Sequence, residues 1–248
     1  MINKKDKIFL AGHKGLVGSA IYRTLLKNNY KNIITVNKKK LNLLNQQKVF
    51  NFLNIKKPKI IIIAAARVGG IKANNKFRAD FIRENLVIQN NLIHGSCING
   101  IKKIIFLGSS CVYPKNYNKP IKEEYLLNGP LEYTNEPYAV AKIAGIKMCE
   151  SYNLQYKTNY LCLMPTNTFG PGDNYNLFSS HFIPAIIKKI YHAQLQKKNY
   201  IKLWGTGFPR REVIYVDDLA DAVIYFMNKR VSHSLINIGT SKDRSIRE

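Results

Sequence analysis

No stretch of the 248-residue sequence is apolar for long enough to cross a bilayer. The longest apolar runs, such as Ile60 to Ala66, are bounded by Lys, Arg or Gly and fall far short of the ~20 residues that a spanning helix needs. Neither a membrane span nor a membrane partner is expected. An export signal is also lacking: Lys4, Lys5 and Lys7 lead directly into the short run Ile8 to Ala11, with no longer apolar region or cleavage site. Cysteine is scarce and never spaced as CxxC. Cys97, Cys111, Cys149 and Cys162 stand far apart and read as reduced thiols of a cytoplasmic protein. Internal repeats and low-complexity linkers are missing too, which leaves one or two globular domains.

Acidic residues are few. Against 39 Lys and Arg stand 15 Asp and Glu, a formal charge of +24. Such a balance invites a nucleic-acid reading. Yet there is no zinc-finger spacing, no RNP-like aromatic motif and no basic repeat, and the lysines are spread along most of the chain. The charge therefore reads as solvated faces plus attraction for an anionic small ligand, with no specific nucleic-acid partner.

What the chain has in quantity is alternation. Short β-branched runs at Ile8 to Ala11, Ile33 to Val36, Ile60 to Ala64 and Ile104 to Leu107 look like strands buried on both faces. Between them lie helical patterns: Gly15 to about Lys27, Gln46 to Leu53, and Ala79 to about Ile98. This rhythm predicts a doubly wound, Rossmann-like parallel sheet of the α/β class. A helix is expected from Tyr138 to about Tyr152, then a strand over Tyr160 to Met164 ended by Pro165. The stretch Pro165 to Ser180, rich in Pro, Gly, Asn and Ser, reads as a functional loop.

Beyond it come a helix from Ile183 to about Gln196, a strand over Ile201 to Trp204, a strand over Glu212 to Val216, and a helix capped by Asp217 or Asp218. These suggest a division into residues 1–165, which bind a nucleotide cofactor, and 166–248, a smaller and incomplete α/β substrate lobe with some later segments returning to the main sheet. Ser245-Ile246-Arg247-Glu248 has the spacing of a capping box, which opens a helix. The sequence thus reads as lacking a C-terminal portion.

Chemistry concentrates in six places. Gly12-His13-Lys14-Gly15-Leu16-Val17-Gly18 follows the first strand and opens the first helix, where glycines let backbone N–H groups approach a pyrophosphate. After the second strand comes Val36-Asn37-Lys38-Lys39-Lys40, with no acid to hold an unphosphorylated ribose. NADP(H) is therefore the expected cofactor, and Lys38 the contact to its 2′-phosphate. Tyr138 and Lys142, four apart on a predicted helix, share one face. A phenol with a pKa near 10 needs a neighbouring ammonium to lower it before it exchanges protons readily at neutral pH. Gly108-Ser109-Ser110-Cys111 sits at the C-terminal end of the fourth strand, where Ser109 can hydrogen-bond a carbonyl under reduction. Cys111 is either a small buried hydrophobe or a base. His181, at the end of the long loop, is either solvated or a proton donor. Lys189, Trp204 and Arg211 in the second half suit a diphosphate and its base.

Ala11 to Ser19, Ala64-Ala65-Ala66-Arg67-Val68-Gly69-Gly70-Ile71, Leu107 to Pro114, Asn135 to Gly145, Met164 to Asn167 and Arg211 to Asp217 together resemble the extended short-chain dehydrogenase/reductase family. They are closest to its branch that converts GDP-4-keto-6-deoxy-D-mannose. That resemblance implies an NADP-dependent 3,5-epimerase and 4-reductase, with likeness over nearly the whole chain. Ser109, Tyr138 and Lys142 would reduce the ketone, with Cys111 as base and His181 as acid in epimerisation. Gly12 to Gly18, Leu107, Gly108, Ser109, Ser110, Lys142, Pro165, Thr166, Asn167, Thr168 and His181 would contact the cofactor. Lys189, Trp204 and Arg211 would meet the GDP-sugar. A homodimer is the implied assembly. The nearest rival reading is a nucleotide-sugar epimerase or dehydratase using NAD; an inactive fragment and a basic binding protein are the others.

Overall fold

The computed structural model describes residues 2–115 and 119–248. Six strands form a parallel sheet in the order β2-β1-β3-β4-β5-β8: β1 Ile8–Ala11, β2 Ile33–Ile34, β3 Ile60–Ile63, β4 Lys103–Leu107, β5 Asn159–Pro165 and β8 Leu235–Ile238. Strand residues alternate strictly between two cores. Phe9, Ala11, Ile61, Ile63, Ile104 and Phe106 face one side. Ile8, Leu10, Ile60, Ile62, Ile105 and Leu107 face the other. This double burial is why the strands are continuous apolar runs: each of Ile60 to Ile63 is fully buried, worth ~2 kcal/mol apiece.

Helices α2 (Gln46–Lys56), α4 (Arg78–Ile98) and α5 (Glu136–Tyr156) cover the first face. Helices α1 (Leu16–Lys27) and α7 (Val216–Asn228) cover the second and pack on each other. A short helix α3 (Ile71–Lys76) precedes α4. A separate three-stranded sheet joins β6 (Asn167–Phe169) parallel to β7 (Arg210–Tyr215), with β9 (Asp243–Ser245) antiparallel to β7. Helix α6 (Phe182–Leu195) lies between β6 and β7 in the chain.

Several sequence expectations need correction. β2 stops at Ile34, two residues early. Helix α5 begins at Glu136, because Pro137 takes a first-turn position where its missing N–H costs nothing, and it runs on to Tyr156. The supposed loop after Pro165 contains β6, which pairs with β7. Ile201 to Trp204 is not a strand; the Lys202 carbonyl is taken by Lys189 Nζ at 2.7 Å. Asp217 and Asp218 lie in the first turn of α7 behind Tyr215 as cap, and Asp217 pairs with Arg23 at 2.6 Å. Ser245 and Glu248 do form the reciprocal capping-box bonds, Ser245 N to Glu248 Oε2 at 2.7 Å and Glu248 N to Ser245 Oγ at 3.4 Å, but directly after strand β9.

Candidate active site

All six strands of the main sheet run parallel, so their C-terminal ends share one edge. Strand order reverses between β1 and β3, and a ligand crevice belongs at such a switch point. The glycine turn occupies it. Gly12 has φ +93°, and a Cβ there would press on Ala65 N at 2.6 Å. A Cβ on Gly18 would overlap the Gly12 carbonyl oxygen. Gly15 is different: the nearest atom to an added Cβ is Gly12 O at 3.6 Å, an ordinary contact. No side chain caps α1 and no acid lies in its first turn, which leaves its N–H groups available to an anion. Burial, then Lys14, lowers the His13 pKa. Beyond β2, Asn37 O accepts from Lys40 N and Leu41 N, both at 2.9 Å, in a turn that leaves Lys38 exposed.

Four predicted residues come together at the end of β4. Ser109 begins a 3-10 turn over Ser110–Val112, its Oγ accepting from Cys111 N at 3.4 Å. Lys142 is 3% exposed, donates to Leu107 O at 2.7 Å, and sits 5.7 Å from the Tyr138 ring centroid and 4.7 Å from that of Phe106. Cys111 is close enough to perturb both Tyr138 and Lys142. The start of α5 is anchored from α4, where Arg78 donates to Tyr133 O at 2.7 Å and to Glu136 Oε2 at 3.4 Å.

The electrostatics differ from the simple expectation. Burial, then Cys111, pushes the Tyr138 phenol above its usual range; the ammonium does not win. Burial lowers Lys142 to about 8, opposed by Cys111 and Cys162. Cys111 is pushed up by burial to about 11, against Ser109 and Lys142. At neutral pH the site therefore holds a protonated phenol, an ammonium and a thiol.

The segment after β5 closes over this edge. Gly172 lies against Ser19 of α1, while Gly70 N donates to Ser179 O at 2.8 Å. His181 caps α6 in extended conformation. Burial lowers its pKa, and the nearby Asp173 carboxylate opposes that; Asp173 is itself raised by burial. Asn167 Nδ2 donates to Glu212 O at 3.0 Å, tying β6 to β7. Farther out, the Trp204 ring has two ammonium groups near it, Lys72 Nζ at 4.3 Å and Lys189 Nζ at 5.1 Å from its centroid. Arg211 is exposed on β7, with Nη1 bonded to Arg210 O at 2.7 Å rather than to this cluster.

One pattern joins these parts. Among the described residues, five buried polar side-chain atoms have no partner: Asn74 Oδ1, Asn135 Oδ1, Thr166 Oγ1, Asp173 Oδ2 and Ser180 Oγ. All belong to segments at the C-terminal edge. Each such atom costs ~1–3 kcal/mol, so a cluster of them marks a place built for a ligand. With the bare N-terminus of α1, they fit a dinucleotide. Lys72, Asn135 and Asp173 were not singled out in the sequence. Lys72 directly follows the Gly69-Gly70-Ile71 motif, and Asn135 opens the Asn-Glu-Pro-Tyr segment, so the signals were adjacent. Asp173 had none.

Comparison with known proteins agrees with this geometry. The NAD dependent epimerase/dehydratase family matches residues 8–239. The chain is 47% identical to a GDP-L-fucose synthase of Sinorhizobium fredii over 98% of its own length and 77% of the relative's. It is 46% identical to that of Escherichia coli, over 98% and 79%. Among solved structures it is similar to MlghC, a GDP-mannoheptose C4 reductase from Campylobacter jejuni with NADP bound. The TM-score is 0.89 at 39% identity, covering 100% of this chain and 84% of that one.

Proposed function

The chain belongs to the NAD dependent epimerase/dehydratase family, and we propose that it carries out the reaction named for its GDP-L-fucose synthase relatives. In that reaction GDP-4-keto-6-deoxy-D-mannose is epimerised at C3 and C5 and reduced at C4 to GDP-L-fucose. NADPH supplies the hydride for the last step. The observation that carries this reading is Lys142, pinned to Leu107 O beside Tyr138 and Cys111 at the edge where the unpartnered polar atoms gather.

The C4 ketone acidifies the C–H bonds at C3 and C5. Cys111 removes each proton as thiolate, and His181 returns one on the opposite face through an enolate, inverting both centres. The thiolate is the minor form of Cys111, which makes this the demanding half of the reaction. For the reduction, Ser109 Oγ and Tyr138 hydroxyl hydrogen-bond the C4 oxygen. The raised phenol pKa suits Tyr138 to hold its proton until C4 carries alkoxide charge and then donate it. Lys142 favours the phenolate left behind.

Gly12, His13, Lys14, Gly15, Leu16, Val17 and Gly18 hold the pyrophosphate, and Lys38 the 2′-phosphate. Leu107, Gly108, Ser109, Ser110 and Lys142, with Pro165, Thr166, Asn167, Thr168 and His181, line the remainder of the cofactor site. Lys189, Trp204 and Arg211 take the GDP moiety. Residues 1–165 form the NADP domain and 166–248 the sugar lobe, with β8 in the main sheet. The protein is cytoplasmic, a compartment that suits its four free cysteines. It acts as a homodimer, for which Ile98 on α4 and Val140 on α5 offer exposed apolar contacts.

The test is NADPH oxidation on addition of GDP-4-keto-6-deoxy-D-mannose, with the sugar product identified. An inert mixture with folded protein rejects the reading. The protonated Cys111 thiol favours one alternative, a C4 reductase without epimerisation; reduction without deuterium uptake at C3 and C5 in heavy water would establish it.

A further inference from the structure

Ten of the 39 lysines and arginines gather on one edge of the fold. Every strand of β1 to β5 is entered through lysine: Lys7, Lys31, Lys59, Lys102 and Lys157 lie one or two residues before β1, β2, β3, β4 and β5. Parallel topology brings all these entries to one edge, opposite the active site. The segments there, residues 2–7, 28–32, 57–59, 99–102, 157–158 and 229–234, carry ten Lys or Arg and a single acid, Asp6. Among the described residues, no ion pair neutralises any of the ten. A groove of about 400 Å³ opens on this edge between Lys5, Lys7, Lys57 and Lys59.

Lysine at helix C-termini offsets the macrodipole, and five helices, α1, α2, α4, α5 and α7, end here. Five termini amount to roughly two and a half negative charges. That leaves most of the basic charge without an internal purpose. The apolar side chains narrow the partner further. In the last turns of α2 and α5, Ile55 is 74% and Leu154 75% exposed on this same edge. Aliphatic groups projecting among lysines gain nothing from a phosphodiester backbone. Nucleic acid would favour arginine forks, several stacking aromatics or helix N-termini, whereas this edge offers nine lysines to one arginine, Arg230, a single half-exposed Tyr156 and helix C-termini.

We propose that this edge docks on the surface of a bilayer carrying anionic headgroups: lysines sit over the phosphates, Ile55 and Leu154 enter the interfacial layer, and the active site faces away from the membrane. The expectation of no membrane partner rested on the shortness of the apolar runs, which excludes a spanning helix but does not bear on a charged surface contact. The inference is independent of the proposed reaction.

Sedimentation of the full chain with phosphatidylcholine vesicles, with and without phosphatidylglycerol, tests it. Pelleting is expected only with the anionic lipid, and loss of it at high salt. Neutralising Lys5, Lys7, Lys57 and Lys59 to Gln together should lower partitioning by nearly three orders of magnitude, about fivefold per lysine. Ile55→Ser should lower vesicle binding severalfold while leaving retention on a heparin column unchanged. NADPH binding serves as the folding control in each variant. Absence of pelleting with anionic vesicles, wild-type partitioning by the four-lysine variant, or displacement from vesicles by duplex DNA would each overturn the proposal.

Discussion

Lys142 reaches from the second turn of α5 to the carbonyl of Leu107, the last residue of β4, at 2.7 Å. One hydrogen bond thus ties the helix that carries Tyr138 to the strand end that carries Ser109 and Cys111. Because the ammonium spends a donor there, its distance from the phenol is set by backbone.

Titration of Lys142 should be visible in the reduction. Its pKa is lowered to about 8 in the free site, so the ammonium is present below that pH and lost above it. The expected kcat/KM for NADPH oxidation falls about tenfold per unit above this point. Lys142→Arg, which keeps its charge, should remove the alkaline limb even where the rate is lower. A profile flat through pH 9 in the native enzyme would show that the charge is dispensable.

Tyr138→Phe should separate the two halves of the reaction. Loss of the proton donor lowers NADPH oxidation by about 10²–10⁴-fold. Deuterium uptake at C3 and C5 should continue, read by mass spectrometry of the recovered keto sugar.

Cys111→Ser should do the reverse at the first half, abolishing deuterium uptake with NADPH binding intact. In the native enzyme Cys111 titrates near 11, and His181 below its ordinary 6.5. Base loss and acid gain then cancel, so exchange is independent of pH between the two values. It falls below the histidine's pKa, as thiolate becomes rarer, and above the cysteine's, as imidazolium disappears.

Gly15 and Gly18 should respond differently to alanine. At Gly15 the added methyl meets only an ordinary contact, so thermal stability is retained, while it stands where a pyrophosphate must approach. NADPH affinity should drop roughly tenfold or more. At Gly18 the methyl collides with the Gly12 backbone, and stability falls as well. Calorimetric titration beside thermal melts distinguishes them.

Much of this was legible in sequence where local chemistry decides structure. The doubly buried strands announced themselves as Ile runs, and Gly12 to Gly18 by its place between strand and helix. The start of α5 was legible too, had Pro137 been weighed as a first-turn residue. Other features depend on tertiary contact. Ile201 to Trp204 has strand character but gains no partner strand, and α3 is too short and Asn-rich to show periodicity. The order of pKa values could not be read from Tyr-x-x-x-Lys spacing, because spacing carries no information about burial. The meeting of Lys72 and Lys189 at Trp204 joins residues more than a hundred positions apart.

The glycine turn is braced from behind by Ala64 and Ala65, just past the end of β3. Such a backbone mould would meet only the pyrophosphate of a dinucleotide, which is the same in NADH as in NADPH. On the proposed assignment, affinity and choice of cofactor are handled by different parts of the molecule. The turn would grip whatever diphosphate enters, while discrimination would fall to the exposed lysines past β2, which can be exchanged without disturbing the mould.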